Sequence, residues 1–506
     1  MKNAFFLIIS IMLSTAYATE YSDDALTSAV PSPDTSSASF ILDEVPFSLT
    51  PDYACTLRMQ VGGLDFGDFD NDFDLDLAVG CYHSQSYPPY NDWRNFVLTN
   101  NDGQFEESPS WWSSDSRSTT DIKWADFNSD EWLDLFACNG DFSQDPNVIY
   151  FGSPGGLATT PGWLATDATF TTGGDPCDFD HDGDIDMATS NQGVYPNYNR
   201  PIYIYNNAGT GLNPTPGWQS SDQMISSFLK WGDLDNDGYE ELAVSKWVNF
   251  ESCVYKNNNG TMQTDPYWTC GSTRSDKGIG WGDIDNDSFP ELAIGGTEPT
   301  WLFDNVEGIL GVTPIWQSNN SYHGCQDLAW CDVDSDGDPD LATVEFSTGH
   351  LRIYLNIDGE LSTTPSWQYD GNGMGTALAF GDINGDSFPD LAMGQSGQPS
   401  VLTFLSTLTA SIEENSPTPQ SFDLSQNYPN PFNSSTGFEL LLKQSARVNA
   451  AIFDILGKRI DTIADNIFPA GKSQIFWHPQ NQPSGLYFCR AMIGNESAAI
   501  RLILLK

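Results

Sequence analysis

Seven short segments of the sequence carry acidic side chains at alternating positions, a spacing suited to binding a hard metal ion. Each runs for nine residues, and they begin at Asp68 (DFDNDFDLD), Asp126 (DFNSDEWLD), Asp178 (DFDHDGDID), Asp233 (DLDNDGYEE), Asp283 (DIDNDSFPE), Asp332 (DVDSDGDPD) and Asp382 (DINGDSFPD). Asp occupies positions 1 and 5 in all seven, Asp or Asn position 3, and Asp or Glu position 9. In a tight turn these side chains converge, and calcium prefers six to eight such oxygen ligands.

These segments, called acidic loops below, are predicted to form up to seven structural Ca²⁺ sites. Carboxylates ~4 Å apart repel by about 1 kcal/mol per pair even in water, and a divalent ion reverses that sign. Acidic turns that only keep the surface soluble are the alternative, but solubility requires no fixed spacing. The predicted ligands are Asp68, Asp70, Asp72 and Asp76; Asp126, Asn128, Asp130 and Asp134; Asp178, Asp180, Asp182 and Asp186; Asp233, Asp235, Asp237 and Glu241; Asp283, Asp285, Asp287 and Glu291; Asp332, Asp334, Asp336 and Asp340; and Asp382, Asn384, Asp386 and Asp390.

The loops are not expected to bind equally well. Position 6 favours glycine because the turn needs a positive φ there. Of the seven copies, those with Gly183, Gly238 and Gly337 meet this requirement. The first two loops, with Phe73 and Glu131 at position 6, are predicted to be the weakest.

The loops recur 49 to 58 residues apart, which suits a repeat built from one four-stranded antiparallel sheet. A second mark recurs in step, 14 to 16 residues before the next loop: Trp112, Trp163, Trp218, Trp268, Trp316 and Trp367. We predict that these tryptophans pack between neighbouring repeats. A single such sheet cannot bury both faces, so the repeats must stack, and a ring leaves only short edges exposed. The predicted fold is therefore all-β, with a seven-bladed β-propeller.

The last repeat lacks the segment that would form its fourth strand. The region from Pro46 to Cys55, before the first loop, is a spare strand. We predict that it completes the seventh repeat and closes the ring by backbone hydrogen bonds.

The chain is strongly acidic, with 69 acidic and 20 basic residues and a formal net charge of −49. This charge excludes nucleic acid or an anionic bilayer as an electrostatically attracted partner. Residues 1–18 are predicted to be a secretory signal peptide, because Lys2 precedes an apolar run and the sequence Ala16-Tyr17-Ala18. A membrane anchor is disfavoured since the run is shorter than the ~20 residues of a spanning helix, and no transmembrane segment is expected elsewhere.

Nine cysteines are scattered along the chain, an odd number for a protein predicted to be exported. Cys253 and Cys270 are predicted to lie on adjacent strands of one repeat and are the best candidates for a disulfide bond.

Two long loops, residues 86–93 and 194–201, are the candidate ligand-binding segments, since they lie between the second and third strands of their repeats. Their aromatic residues, Tyr87, Tyr90, Trp93, Tyr195 and Tyr198, suit stacking on sugar rings or an extended peptide. Packing of these tyrosines on their own prolines is an equally open interpretation.

The acidic loops, led by steps such as FGD (Phe66 to Asp68) and WGD (Trp231 to Asp233), resemble FG-GAP/VCBS repeats over residues 41–407. The resemblance implies an integrin α-like propeller with calcium in the loops between first and second strands. Such propellers mostly serve adhesion and ligand recognition, and some occur beside lyase or hydrolase domains.

Residues 424–506 contain NYPNPFN (Asn427 to Asn433) and the step Gly485-Leu486-Tyr487. They resemble the type IX secretion C-terminal sorting domain, a small Ig-like β-sandwich that an outer-membrane translocon recognises and that is often removed afterwards. An ordinary adhesive sandwich is the alternative. Residues 19–40 and 408–423 are predicted linkers.

Taken together, these features predict a calcium-binding module, secreted or on the outer surface of a bacterium, that binds a glycan or an extracellular protein and is not an enzyme. No GxSxG or HExxH motif appears, and the carboxylates are committed to the repeats. A calcium-dependent polysaccharide lyase or hydrolase stays open because Arg94 and Arg200 accompany the aromatic loops. A purely structural envelope protein is the third hypothesis.

Overall fold

A computed structural model describes residues 45–408 and 422–504 of the chain, apart from residues 73, 83–91, 102, 141–144, 168, 194–198, 249, 320–323, 372, 426–431, 433–434, 454–458, 480–481, 483–484 and 494–495. The regular elements of the described residues are all β-strands. No helix in this part of the chain has the length and apolar character needed to span a membrane. The predicted signal peptide, the linker at 19–40 and most of the linker at 408–423 lie outside the described residues.

The strands follow the repeats, and the seven stretches that each contain one acidic loop are called units one to seven. Before them stands β1 (Tyr53–Ala54). Unit one contains β2 (Met59–Gly67), β3 (Asp76–Cys81), β4 (Phe96–Leu98), β5 (Asn100–Asn101), β6 (Gln104–Phe105) and β7 (Trp111–Trp112). Unit two contains β8 (Thr119–Ala125), β9 (Asp134–Asn139), β10 (Val148–Tyr150) and β11 (Trp163–Leu164). Unit three contains β12 (Phe170–Cys177), β13 (Asp186–Gln192), β14 (Tyr203–Tyr205) and β15 (Trp218–Gln219).

The later units repeat this order. Unit four contains β16 (Ser226–Gly232), β17 (Glu241–Lys246), β18 (Cys253–Tyr255) and β19 (Trp268–Thr269). Unit five contains β20 (Asp276–Gly282), β21 (Glu291–Gly296), β22 (Trp301–Phe303), β23 (Asn305–Val306), β24 (Ile309–Leu310) and β25 (Trp316–Gln317). Unit six contains β26 (Cys325–Cys331), β27 (Asp340–Glu345), β28 (His350–Tyr354), β29 (Asn356–Ile357), β30 (Glu360–Leu361) and β31 (Trp367–Asp370). Unit seven contains β32 (Met374–Gly381), β33 (Asp390–Gly397) and β34 (Val401–Phe404).

Units two to six each form one four-stranded antiparallel sheet, and units five and six also contain a separate two-stranded hairpin, β23–β24 and β29–β30. The acidic loop joins the first strand of a unit to the second, so that position 9 is the first residue of the second strand in every unit. In unit three, for example, Cys177 at the end of β12 pairs with Asp186 at the start of β13. The second strands are buried on both faces, which holds the loop ends in place.

Units one and seven share an eight-stranded sheet that joins the two ends of the repeat region. Strand β1 pairs antiparallel with β34, with Tyr53 opposite Thr403, and Phe47 forms a further bridge to Ser406. This confirms that the segment from Pro46 to Cys55 completes the seventh unit. Strand β1 pairs with β34 because β34 would otherwise present an edge of unpaired backbone groups.

Neighbouring units meet along their first strands. The hydroxyl of Thr120 donates to the carbonyl of Thr171 in the next unit over 2.7 Å, and that of Thr172 donates to the carbonyl of Ser226 over 3.0 Å. The first strand of unit seven contacts that of unit one in turn. The approach requires glycine at Gly62, since a Cβ atom there would lie 2.1 Å from the carbonyl oxygen of Thr119.

The recurring tryptophans pack between units, as predicted. Their rings stand edge-on to an aromatic residue in the third strand of the next unit, in the pairs Trp111 and Tyr150, Trp163 and Tyr205, Trp218 and Tyr255, Trp268 and Phe303, Trp316 and Tyr354, and Trp367 and Phe404. In unit one the prediction named the wrong residue. Trp111, and not Trp112, donates its ring N–H to the next unit, because the alternation of side chains in β7 turns Trp112 to the other face, onto Phe96.

The predicted disulfide between Cys253 and Cys270 is wrong, because both residues are free thiols. Cys253 pairs across the sheet with Thr269, so Cys270 is one position out of register. Successive side chains of a strand point to opposite faces. The two sulfur atoms accordingly lie in different clusters of the core.

The C-terminal region contains two further antiparallel sheets. Its strands are β35 (Phe422–Leu424), β36 (Thr436–Leu442), β37 (Ala446–Phe453), β38 (Arg459–Phe468), β39 (Gly471–Trp477), β40 (Gly485–Ile493) and β41 (Glu496–Leu504). The first sheet has the order β35-β36-β39 and the second β38-β37-β40-β41. Phe438 and Trp477 of the first sheet share one apolar core with Val448 and Leu502 of the second. Cys489 lies in the same core as a buried thiol.

Candidate metal centres in the acidic loops

Each acidic loop is held in a tight turn by its own side chains. In unit four, Asp233 at position 1 accepts the N–H of Asp237 over 3.1 Å and that of Gly238 over 2.9 Å. Asp237 at position 5 accepts the N–H of Tyr239 over 2.9 Å. The same bonds recur in units two, three, five, six and seven. The carboxylates at positions 1 and 5 therefore shape the backbone and still offer further lone pairs to a cation.

Position 4 has a positive φ in all seven loops, which the sequence interpretation missed. The residues are Asn71, Ser129, His181, Asn236, Asn286, Ser335 and Gly385. Asn, His and Gly are enriched in this left-handed conformation, so the composition of position 4 was a usable signal. Position 6 also has a positive φ in the six loops where it is described, and Glu131, Ser288 and Ser387 adopt it without being glycine. The turn thus forms with residues other than glycine at position 6.

The carboxylate at position 9 is buried and ties the loop to the third strand of its own unit. In unit six, Asp340 accepts the N–H of Val333 over 2.9 Å and that of Asn356 over 2.8 Å. Equivalent bonds from the second residue after the third strand occur in every unit, with donors Asn100, Gly152, Asn207, Asn257, Asn305, Asn356 and Ser406. Burial raises the pKa of this carboxyl group to about 7 in units one to six and to about 6 in Asp390.

In five loops the structure brings three predicted ligands together, with one oxygen atom of each within 4.8 Å of the others. Positions 1, 3 and 9 form the group in units one, three, four and five, and positions 1, 3 and 5 form it in unit six. The groups are Asp68, Asp70 and Asp76; Asp178, Asp180 and Asp186; Asp233, Asp235 and Glu241; Asp283, Asp285 and Glu291; and Asp332, Asp334 and Asp336. Units two and seven have Asn128 and Asn384 at position 3, so an amide stands there in place of one carboxylate.

The donor set fits a hard divalent cation such as calcium, because carboxylate and amide oxygens are the ligands this ion prefers. Three of these oxygen atoms are buried and lack a hydrogen-bond donor within the described residues: Oδ2 of Asp186, Oδ1 of Asp235 and Oδ1 of Asn128. Asp186 is 1% exposed, and a buried carboxylate oxygen without a donor is costly. A bound cation would satisfy it.

The acidic loop of one unit is also fastened to the next unit, by an asparagine that sequence reasoning missed. The amide group of Asn356 donates to the carbonyl of Ile284, at position 2 of the preceding loop, over 2.8 Å. Asn100, Asn207, Asn257 and Asn305 make the equivalent bond, and that of Asn100 reaches Ile383 of unit seven. The recurring pattern Asn-x-x-Gly, as in Asn100 to Gly103, was the available signal. Five of the seven acidic loops are therefore linked to the following unit in this way.

The charged residues Asp121, Lys123, Lys230 and Asp327 line a cavity of about 80 Å³ between the first strands, and Asp65 and Asp175 interact with the lysines of this group. Lys123 lies 3.1 Å from Asp121, and Lys230 lies 2.8 Å from Asp175. The N–H of Trp124 donates to Asp65 over 2.7 Å, which joins units one and two. Burial raises the pKa of Asp65 to about 6 despite the nearby lysines, and that of Asp327 likewise.

The predicted ligand-binding aromatics are described only in part. Tyr87, Tyr90, Tyr195 and Tyr198 lie outside the described residues, whereas Trp93 is half-buried. Beside it, Arg94 pairs with Asp92 over 2.6 Å, and its guanidinium group lies 4.6 Å from the ring centre of Trp112. This surface combines an aromatic ring with a held ion pair.

Comparisons with known proteins identify two families in the chain. Residues 68–137, 178–244 and 313–393 match the FG-GAP-like repeat, and residues 426–505 match the secretion system C-terminal sorting domain. No curated protein matches the chain.

Among solved structures the chain is similar to PorZ of Porphyromonas gingivalis, described as an essential bacterial surface component of the type IX secretion system. The identity is 12% and the TM-score 0.39, over 90% of this chain and 60% of PorZ. It is also similar to a lectin of Agrocybe aegerita that recognises non-reducing terminal N-acetylglucosamine, with 12% identity and a TM-score of 0.38, over 70% of this chain and 92% of the lectin.

Proposed function

We propose that the repeat region of the chain is a calcium-stabilised binding module. The chain carries FG-GAP-like repeats and a type IX secretion sorting tail. The tail directs the chain out of a bacterium to the outer surface. In this proposal residues 41–407 form a seven-bladed β-propeller and residues 424–506 an Ig-like β-sandwich. The propeller binds an extracellular glycan or protein and is not an enzyme.

The observation that carries the proposal is the recurrence of one loop geometry around all the units. The same internal hydrogen bonds and the same buried carboxylate recur, and carboxylate oxygens converge in five loops. A turn that only needed to be soluble would not bury its last carboxylate, since burial disfavours the charged form. A bound divalent cation compensates that charge, and it explains why acidic residues recur at these positions.

Calcium binding is tested by isothermal titration calorimetry of the secreted chain after exhaustive chelation. We expect several ions per chain, with dissociation constants on the order of 10⁻⁴ to 10⁻³ M, as in other extracellular calcium modules. Titration with Mg²⁺ is the control, and it should bind more weakly because the loops offer many oxygens in an adaptable arrangement. A chain that binds no calcium at millimolar concentration would contradict the proposal.

Support for a ligand-binding surface comes from Trp93 and the adjoining ion pair between Asp92 and Arg94. The guanidinium group of Arg94 also lies over the ring of Trp112. Aromatic faces of this kind stack on sugar rings and on peptide side chains. The test is a glycan array and an extracellular protein array probed with the chain and with Trp93→Ala. We expect a bound class of ligand whose signal falls at least tenfold in the variant.

The control for this test is Tyr267→Ala, which removes an aromatic side chain that is 49% exposed in unit four. It should leave ligand binding unchanged. Equal losses in both variants, or no ligand on either array, would count against a binding surface around Trp93. Release of unsaturated products from acidic polysaccharides would instead favour the lyase alternative.

The sorting tail implies contact with the secretion machinery. Deleting residues 424–506 should retain the chain inside the outer membrane, which fractionation and immunoblotting would detect. A chain that also lacks residues 1–18 should stay in the cytoplasm. The comparison of the two deletions separates the role of the predicted signal peptide from that of the sorting tail.

A further inference from the structure

One side-chain position next to the acidic loop is charged in two units and uncharged in the other five. It directly precedes the residue whose N–H donates to the position-9 carboxylate, so its place in the unit is the same throughout. From unit one to unit seven the residues there are Thr99, Phe151, Asn206, Lys256, Asp304, Leu355 and Leu405. The position is cationic in unit four, anionic in unit five and uncharged in the other units.

In unit four this lysine reaches into the acidic loop. The ammonium group of Lys256 contacts a carboxylate oxygen of Asp235, at position 3, and lies 3.2 Å from Oε1 of Glu241, at position 9. Both carboxylates belong to the three-residue group of that loop. The side chain of Lys256 is 14% exposed, so its charge is held inside the loop.

In unit five the equivalent residue has the opposite charge. Asp304 takes the place of Lys256, and burial together with the negative charges of nearby carboxylates, Asp304 among them, raises the pKa of Asp285 at position 3. Asp283, Asp285 and Glu291 form the three-carboxylate group of this loop. Unit five therefore gathers four negative charges where unit four gathers three and a positive one.

We infer that Lys256 acts as the built-in cation of the fourth acidic loop, so that this loop binds no calcium while the fifth loop binds it. The inference deepens the proposed function and rests on calcium binding by the other loops. It changes the expected number of ions and identifies Lys256 and Asp304 as the residues that set which loop is filled.

The physical reason is that the ammonium group and a calcium ion need the same oxygen atoms. Calcium binds oxygens at 2.3–2.6 Å, so an ion held by Asp235 and Glu241 would lie in the space of the ammonium group and repel it. Displacing Lys256 would break its contacts with both carboxylates and move it away from Tyr267, whose ring centre is 6.0 Å away. A neutral side chain at this position would remove that competition.

The first test counts bound calcium by equilibrium dialysis of the full secreted chain carrying Lys256→Met. We expect one ion more per chain than in the wild type, because the fourth loop becomes available. The control is Lys472→Met, which removes a lysine 2.6 Å from Glu439 in the C-terminal region and should leave the count unchanged. An unchanged count in Lys256→Met would overturn the inference.

The second test does not depend on how well that variant folds. Asp235→Asn and Asp285→Asn make the same change at position 3 of the fourth and fifth loops. We expect Asp235→Asn to keep the wild-type ion count and Asp285→Asn to lose one ion or to bind it at least tenfold more weakly. Loss of one ion in both variants would overturn the inference.

The two proposals fail in different ways. A wild-type chain that binds ions in the fourth loop would overturn the role of Lys256 and leave the calcium proposal intact. If the wild-type chain binds no calcium and the Lys256→Met variant binds one ion, the role of Lys256 is supported and calcium binding by the other loops is contradicted. Absence of calcium from the wild type and from Lys256→Met would overturn both.

Discussion

The acidic loops and the central cavity both collect aspartate side chains, but they compensate the charge differently. In the cavity, Lys123 and Lys230 pair with Asp121 and Asp175. In the loops, the described carboxylates accept backbone N–H groups and, in five of the units, converge on one another. Asp65, next to the cavity-lining residue Leu64, and Asp68 in the first loop are only three residues apart. The same residue type thus serves a self-contained network at one site and, in the proposed function, a calcium-dependent one at the other.

The largest expected effect is the loss of stability on chelation. Ligand binding stabilises the folded state by RT ln(1 + [L]/Kd), which is about 1–3 kcal/mol for each loop at ten- to hundredfold excess of calcium over its Kd. Over several loops, EDTA should lower the free energy of unfolding by several kcal/mol. The melting temperature, measured by circular dichroism with and without EDTA, checks this. The control is Lys230→Met, a change in the cavity, whose melting temperature should fall on EDTA addition as much as that of the wild type. A wild-type melting temperature that EDTA leaves unchanged would contradict the idea that the loops depend on calcium.

A loop carboxylate that also serves the fold should matter even without calcium. Asp340→Ala leaves the buried N–H groups of Val333 and Asn356 without acceptors, at a cost of about 2–4 kcal/mol in the presence of EDTA. Asp336→Ala, at the exposed position 5, should destabilise the protein mainly when calcium is present. Urea unfolding of both variants in the two conditions checks this. Equal behaviour would mean that position 9 has no separate structural role.

The contribution of Asp65 to the free energy of unfolding should change with pH in the opposite sense to that of a carboxylate in an ordinary ion pair. The folded pKa of Asp65 is raised by burial to about 6, above its unfolded value of about 3.9, so the folded state binds the proton more tightly between these values. Its contribution therefore favours folding at low pH and is lost as pH rises from about 4 to 6. Asp65→Asn should gain roughly 1–3 kcal/mol relative to the wild type over this interval, as measured by urea unfolding in EDTA.

Asp92→Asn is the control with the opposite sign. The hydrogen bond from Arg94 lowers the pKa of Asp92, so its stabilising contribution is present above the unfolded value and lost as pH falls through the folded one. This variant should therefore lose stability relative to the wild type as pH rises. A parallel pH response of the two variants would contradict the assignment of Asp65.

The smallest expected effect concerns the link between neighbouring loops. Asn356→Ala removes the donor to the carbonyl of Ile284 and should cost about 1 kcal/mol, measured by urea unfolding. Calcium affinity of the fifth loop should fall slightly, because its position 2 is no longer held. Asn258→Ala, at an exposed asparagine, is the matched control and should be neutral.

Much of the repeat region was predictable from the printed residues. The loops recur seven times and the tryptophans that pack between units six times, and the strand that completes unit seven follows from the missing fourth strand of that unit. Where the pattern was ambiguous the prediction failed: adjacent Trp111 and Trp112 differ only in which face they occupy, and Cys253 and Cys270 differ by one position of register. Face and register depend on backbone pairing, which sequence spacing does not reveal.

The sequence by itself determined the all-β composition, the acidic loops and the sorting tail, because these depend on residue types at short spacings along the chain. Only the tertiary structure decided which side chains from different strands and units meet. Lys256 reaches Asp235 because the third strand runs back beside the loop, and Asp65 accepts the N–H of Trp124 because first strands of neighbouring units lie side by side. Such contacts join residues 21 and 59 positions apart, and their geometry exists only once the sheets have assembled.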